Sequence, residues 1–480
     1  MPITRRQVLI GGAGGHWMQG SRRSTPKTNV VFFLTDDHGA WSMGAYGCPE
    51  FHTPNLDRLA AGGAMFTRAY AATPVCSPSR ATYITGKLPA GHGVHDAMLA
   101  TDCWGPKRRR LLDGHATYSQ VLANNGYTLG MCGKWHMGDD SNAHAGFAYW
   151  CTKAEDGGGY KDPVLLKNGS RVKIKGFLTD ALADAGMEFI EANKDKPFAL
   201  YIPFYAPHTP YSYQPEEYRK SYSNAKFSCF PQPPKHPQRR RQFETHHGNR
   251  ASMTAYSALV TGVDHNVGRI VDRLQQLGLR EDTLIVFAAD QGWNAGHHGV
   301  WGKGNATIPF NMYEESIRVP LIWNHPGSIR PGQTLSPMVS SYDFFPTILD
   351  YLSVKAPGRD RQRLGRSYAG FLRGENPAWR DELYFEYCYT RAVRTASLKY
   401  VERADNWPSE LFDLETDPGE NVNVIGWPAY RDRLTALRGR LRTQFQAAGA
   451  PPIEKWHDSV RNVLTLDNGY YDRWLDLPSR

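Results

Sequence analysis

Asn29-Val30-Val31-Phe32-Phe33-Leu34-Thr35-Asp36-Asp37 sets an unbroken apolar run directly before two acids. An amphipathic surface strand alternates apolar and polar residues, whereas a strand buried on both faces is apolar throughout, as in a parallel sheet covered by helices. Three further runs repeat the pattern: Thr128 to Cys132 before Lys134-Trp135-His136, Phe198 to Phe204 before His208, and Thr283 to Ala288 before Asp290-Gln291-Gly292. Helices are expected between them at Asn55 to Gly62, Ser79 to Ile84, Thr117 to Asn125, Leu178 to Asn193 and Met253 to Leu277. The fold class is therefore α/β, with a large, mostly parallel sheet flanked by helices. Open sheets of this kind bind ligands beyond the carboxyl ends of their strands, so these four segments are expected to bring their polar residues into one crevice.

Asp36, Asp37 and Asp290 would then share one sheet edge with Gln291. Like charges at about 4 Å cost roughly 4 kcal/mol per pair at an effective dielectric near 20, so a cation or raised pKa values must compensate. Carboxylate and amide oxygens select a hard divalent ion, calcium before magnesium.

After Phe345-Pro346-Thr347-Ile348-Leu349 the pattern shortens. Strand-like pieces at Leu383 to Tyr389 and Ser397 to Val401 and a helix over Tyr430 to Ala447 point to a smaller C-terminal α+β subdomain. The expected organisation is a leader over 1–27, a catalytic domain over 28–356 and the subdomain over 357–480. Gln232 to Arg250, rich in Pro, Arg and His, reads as an insertion or surface loop.

The 480 residues carry a net charge of +9, which suits an anionic substrate. Much of the excess lies in clusters such as Lys107 to Arg110 and Arg239 to Arg241, and no nucleic-acid-binding module is present. No apolar run is long enough to insert into a bilayer. Seven cysteines without C-x-x-C pairs argue against structural zinc and a dense disulfide framework, leaving room for one or two bridges in an exported protein. Thr4-Arg5-Arg6-Gln7-Val8-Leu9-Ile10 looks like a twin-arginine export signal, which implies a periplasmic or secreted protein. Read as a plain basic leader, the same stretch leaves the protein in the cytoplasm.

Cys76-Ser77-Pro78-Ser79-Arg80, continued by Ala81-Thr82-Tyr83-Ile84-Thr85-Gly86-Lys87, resembles the signature of the type I sulfatases of the alkaline phosphatase superfamily. Gly133-Lys134-Trp135-His136, Ala206-Pro207-His208, His298-Gly299-Val300-Trp301-Gly302-Lys303-Gly304 and Leu411-Phe412-Asp413-Leu414 with Asp417-Pro418-Gly419-Glu420-Asn421 resemble further elements of that family. The resemblance implies a sulfuric ester hydrolase in which a maturase oxidises Cys76 to formylglycine. It also implies one calcium ion on Asp36, Asp37, Asp290, Gln291 and modified Cys76, with Gln291 standing where Asn is commoner.

On the same resemblance, Arg80 stabilises the formylglycine hydrate and Asp290 takes the proton of the attacking hydroxyl. Lys134, His208 and Lys303 hold the sulfuryl oxygens, His208 or Lys303 protonates the departing alcohol, and His136 assists sulfate release. His92, His95 and Asp96 after the signature helix, and Trp293, Asn294, His297 and His298 after the metal pair, are candidates for contact with the substrate. A sulfated carbohydrate attacked in exo fashion is the favoured substrate. Aryl or choline sulfates, a phosphonate or phosphate ester hydrolase, and a non-catalytic binding protein on the same fold are the alternatives.

Overall fold

The computed structural model describes residues 27–144, 146–240, 244–404 and 407–453. Nearly all of the expected leader, and the chain beyond Ile453, lie outside them.

The main sheet has ten strands: β1 (Asn29–Thr35), β2 (Ala64–Phe66), β3 (Thr128–Cys132), β4 (Phe147–Lys153), β5 (Val164–Lys167), β6 (Ser170–Lys173), β7 (Phe198–Pro203), β8 (Thr283–Ala289), β9 (Leu321–Asn324) and β10 (Gln333–Leu335). Their spatial order is β10-β2-β9-β8-β1-β7-β3-β4-β5-β6. The central run β8-β1-β7-β3-β4 is parallel throughout, and β9 and β5 add to its two sides in the antiparallel sense.

Every residue of β1 is buried, because its two faces enter different cores. Val30, Phe32 and Leu34 pack with Ala81, Tyr83 and Ile84 of α2 (Cys76–Thr85), Tyr118 and Leu122 of α3 (Tyr118–Asn124), and Phe344 and Ile348 of α6 (Ser341–Tyr351). Val31 and Phe33 pack with Leu56 of α1 (Pro54–Ala61), Leu182 of α4 (Leu178–Asn193) and Val263 of α5 (Arg250–Gln276). At roughly 1.5–3 kcal/mol for each large apolar side chain removed from water, this two-sided burial fixes the strand's register.

The C-terminal part forms a four-stranded antiparallel sheet, β11 (Glu382–Tyr387), β12 (Thr390–Thr395), β13 (Leu398–Arg403) and β14 (Glu410–Asp413), against which α7 (Arg431–Ala447) packs. Its core is continuous with Tyr70, Val75, Phe310 and Ile317 of the larger part. A salt-bridge group also ties the two together: Lys399 lies 2.5 Å from Glu420 and 3.0 Å from Glu314.

Two features differ from the sequence expectation, and one disulfide fills the room it left. Helix α2 starts at Cys76 rather than Ser79, because Val75 is the extended N-cap residue. The segment Gln232 to Arg250 does more than loop over the surface where it is described: Arg240 is buried, its N–H donates to Ala306 O at 2.8 Å, and His236 N–H donates to Gly299 O at 3.0 Å. Cys48 and Cys229 form a disulfide across 181 residues of sequence, and Phe51, Tyr222, Phe230, Trp293 and Trp301 share a core cluster with Cys48.

Candidate active site

The carboxyl ends of β1, β3, β7 and β8 converge as the sequence requires, and α2 points its first turn at the same place. Past the end of β1, Asp36 N–H donates to Ala206 O at 3.2 Å and Asp37 N–H to Asp290 Oδ1 at 3.3 Å, so backbone contacts lock the three segments together. Asp37 has a positive φ of 63°, a left-handed conformation that Asp tolerates better than most residues.

Cys76 is the first residue of α2 and Arg80 lies one turn on, the spacing that puts both side chains on one helix face. The Arg80 guanidinium donates through Nε to Asp290 Oδ2 at 2.8 Å and through a terminal nitrogen to Lys134 O at 2.6 Å, and reaches Asp36 Oδ2 at 3.2 Å. Lys134 Nζ lies 2.5 Å from Asp36 Oδ2. Lys303 Nζ lies 2.5 Å from Asp37 Oδ1 and 2.8 Å from Cys76 Sγ. His208 Nε2 lies 3.6 Å from Asp37 Oδ2, and the His208 side chain is 32% exposed, the most open of the group.

Asp36, Asp37, Arg80, Asp290 and Gln291 are all buried. Burial works against the Asp36 carboxylate, yet Lys134, His208, Arg80 and Lys303 override it and hold the group well below its ordinary pKa. Burial dominates at Asp37, which rises, and at Asp290, where Asp36 adds to the effect. Burial and Asp36 oppose ionisation of Cys76, but Lys134 and Lys303 help bring it well below the usual thiol range. Burial lowers His136, with Lys134 adding to it. Burial also works against charge on His208, but Asp37 and Asp36 outweigh it and raise the imidazole.

Two buried oxygens of the site, Asp37 Oδ2 and Gln291 Oε1, have no hydrogen-bond donor among the described residues. Gln291 Nε2 donates to Asp37 Oδ1 at 2.6 Å and to Asp36 Oδ1 at 3.3 Å. Exchanging the amide oxygen and nitrogen would turn an oxygen toward the carboxylates, which only an intervening cation makes favourable. Ligand atoms of Asp36, Asp37, Cys76 and His208 also lie within 4.8 Å of one another. An oxygen-rich cradle with unpartnered acceptors fits a hard divalent cation, held by Asp36, Asp37, Asp290 and Gln291 beside residue 76.

The substrate candidates are placed differently. Asp96 accepts from the Tyr387 hydroxyl at 2.5 Å, and His95 O accepts from Cys388 N at 3.3 Å, so both meet the C-terminal sheet. His92 is buried, 3.3 Å from Thr82 Oγ1. Trp293 meets the cluster through its ring, 6.0 Å from Lys303 Nζ. Asn294 donates to Gly302 O at 2.9 Å and to Ser316 Oγ at 2.7 Å. The His297 ring packs against Trp41, and His298 pairs with Glu315 at 2.7 Å and stacks on Tyr313.

Sequence reasoning missed the groups that set His136. Its backbone is left-handed, with φ 57°, and its N–H donates to the Asp140 carboxylate at 3.1 and 3.3 Å. Its Nε2 donates to Met98 O at 3.0 Å, which leaves Nδ1 free to accept from Ser77 Oγ at 3.2 Å. The only sequence signal was the acid pair Asp139-Asp140 directly after Gly138.

The chain matches the family model for Sulfatase over residues 28–354 and that for the C-terminal part of N-sulphoglucosamine sulphohydrolase over residues 296–447. It is 29% identical to an N-acetylglucosamine-6-O-sulfatase of Bacteroides thetaiotaomicron, over 90% of this chain and 89% of that one. It is 28% identical to an ulvan-active sulfatase of Formosa agariphila, over 88% of this chain and 82% of that one. A solved structure of a protein in complex with its substrate D-glucosamine-2-N,6-O-disulfate superposes with a TM-score of 0.77 at 25% identity, covering 89% of this chain and 99% of that one. The fold is shared as well with a phosphonate monoester hydrolase of Agrobacterium radiobacter, at a TM-score of 0.70 and 21% identity over 88% of this chain and 96% of that one.

Proposed function

The chain belongs to the sulfatase family, the type I sulfatases of the alkaline phosphatase superfamily, and from that premise we propose that it removes sulfate from a sulfated carbohydrate, acting at a chain end, with formylglycine made from Cys76 as nucleophile and calcium as the metal. The observation that carries this reading is the Cys76 side chain, held at a helix N-terminus 2.8 Å from Lys303 Nζ among three carboxylates and three permanent cations. Relatives named for glucosamine 6-O-sulfate and for ulvan favour a saccharide over an aryl or choline ester.

The Cys76 Sγ stands where the side-chain oxygens of the converted residue would lie. Formylglycine supplies, as its hydrate, one hydroxyl to attack sulfur and a second whose ionisation releases sulfate, which neither a thiol nor a serine hydroxyl offers. Asp36, Asp37, Asp290 and Gln291 would hold the calcium ion, which would supply positive charge beside residue 76.

The remaining work falls to side chains. The Asp290 carboxylate takes the proton of the attacking hydroxyl. Arg80 holds that carboxylate in one orientation. Lys134 and Lys303, both nearly buried, direct fixed positive charge to the site where the transferring group gains negative charge, and the amino end of α2 adds backbone N–H groups. His208, raised by Asp37 and Asp36 against its burial and open toward solvent, protonates the departing sugar oxygen, which leaves as the hydroxyl. His136, lowered by burial and neutral near pH 7, accepts a proton at Nδ1 during sulfate release.

The Cys48–Cys229 bridge supports a place in an oxidising compartment, periplasmic or secreted. No helix among the described residues is long and apolar enough to cross a membrane. The test is sulfate release, by ion chromatography, from sulfated monosaccharides incubated with protein co-expressed with a formylglycine-forming maturase. Release from wild type and none from Cys76→Ala is expected; equal release by both overturns the reading.

A further inference from the structure

Strands β3 and β4 are parallel neighbours, and Cys132 pairs with Cys151. Lys134 lies two residues beyond the first cysteine and Lys153 two beyond the second. With adjacent strands about 4.8 Å apart, Lys134 just past β3 and Lys153 at the end of β4 both lie at the carboxyl edge of the sheet. Gly133 N–H donates to Cys151 O at 2.8 Å, where β3 ends, while β4 runs on to Lys153, its last residue, which pairs with Leu165 of β5.

The two cations have different surroundings. Lys134 is neutralised by Asp36. Lys153 is half-buried and forms no carboxylate ion pair among the described residues. Its ammonium donates one hydrogen bond, to Gly158 O at 2.8 Å, and lies over the Tyr205 ring, 5.5 Å from the centroid. That ring belongs to the segment whose next carbonyl, Ala206 O, accepts Asp36 N–H, so Lys153 stands at the wall of the reaction centre. Burial and the nearby charge of Lys134 both work against its protonation. A half-buried ammonium with two N–H groups unused, beside a second ammonium and backed by an aromatic face, is completed by an anion.

We propose that Lys153 is a specificity residue that receives a second anionic group of the substrate, a sulfate or a carboxylate, while the reacting sulfate lies on Lys134 and Lys303. The preferred substrate is then a saccharide carrying at least two negative groups rather than a singly sulfated neutral sugar. This assignment rests on the sulfatase reading of the site. Tyr160 braces the wall from behind, its hydroxyl donating to His208 O at 2.8 Å and lying 3.0 Å from Tyr205 O, so the Lys153 platform and the proton donor are held together.

The test compares D-glucosamine 2-N,6-O-disulfate with N-acetylglucosamine 6-O-sulfate, as kcat/KM on matured protein and as Kd by calorimetry on Cys76→Ala protein. Wild type favours the disulfate, Lys153→Gln lowers the ratio about tenfold, mainly through KM, and Lys153→Arg retains it within about threefold. A ratio that is the same in wild type and Lys153→Gln, in rate and in binding, overturns the proposal. Binding that shows the Lys153-dependent ratio without turnover of either sugar by matured wild type upholds the anion site and overturns the enzymatic reading instead.

Discussion

Lys303 reaches across 227 residues of sequence to place its ammonium 2.8 Å from Cys76 Sγ, while the same nitrogen bonds Asp37 Oδ1 at 2.5 Å. One buried cation therefore touches both Cys76 and Asp37. Removing one preorganised donor from such a site costs about 10²–10³ in kcat. Lys303→Met is expected to fall in that range with its melting temperature held within a few degrees. A loss under about tenfold, measured on chains with equal Cys76 conversion, contradicts the role.

Asp140 holds His136 in its left-handed backbone through two contacts to one N–H. Positioning groups of this kind typically change activity by about 10–100-fold when lost. Asp140→Ala should lower kcat within that range, with Asp140→Asn, which keeps an acceptor oxygen, losing less. Equal rates in wild type and Asp140→Ala would remove the residue from the account.

If the cradle of Asp37 and Gln291 holds calcium, the ion stabilises the fold by mass action, by about 2.7 kcal/mol at a hundredfold excess over Kd. Chelation should lower the melting temperature of wild type, and added calcium should restore it. Asp37→Asn should weaken that response strongly. A wild-type melting temperature indifferent to chelator and calcium contradicts the metal assignment.

Lys399 sits between Glu314 and Glu420 at 3.0 and 2.5 Å, with its side chain fully buried. Taking one partner from a buried ionic group costs about 3–5 kcal/mol because the remaining charge is stranded. Lys399→Met should show that loss in chemical denaturation, and adding Glu420→Gln should recover part of it. Additive losses in the double variant would show that the pair is not coupled.

Burial raises the Glu315 carboxyl, but the hydrogen bond and charge of His298 override it and bring it down to about 2. A carboxyl lowered on folding stabilises the protein above its unfolded pKa near 4.5 and loses that contribution as pH falls from there toward 2. The shift corresponds to about 3 kcal/mol. Between pH 5 and pH 2.5, wild type should therefore lose more unfolding free energy than Glu315→Gln. Identical acid sensitivity in the two proteins would contradict the pairing.

The central sheet was legible because strands buried on both faces are apolar without interruption, as in β1 and β8. Strand β4 and the β5–β6 hairpin were not, since they mix buried with exposed positions at the sheet's edge, and Lys153 was missed with them. The chemistry-bearing residues of the cradle follow strands or the signature helix, so their meeting could be expected from position alone. Asp140 acts through the backbone of His136, and a left-handed residue leaves no mark in the sequence. His95 and Asp96 follow the signature helix in sequence, yet the return of the chain through β11 and β12 brings Tyr387 and Cys388 to them, a long-range contact that local pattern does not report.

The most direct test is the mass of the tryptic peptide Ala69 to Arg80 from protein produced alongside a formylglycine-forming maturase. An aldehyde, or its hydrate, is expected in place of the Cys76 thiol. An intact thiol, in cells where the maturase converts a control sulfatase, would contradict it.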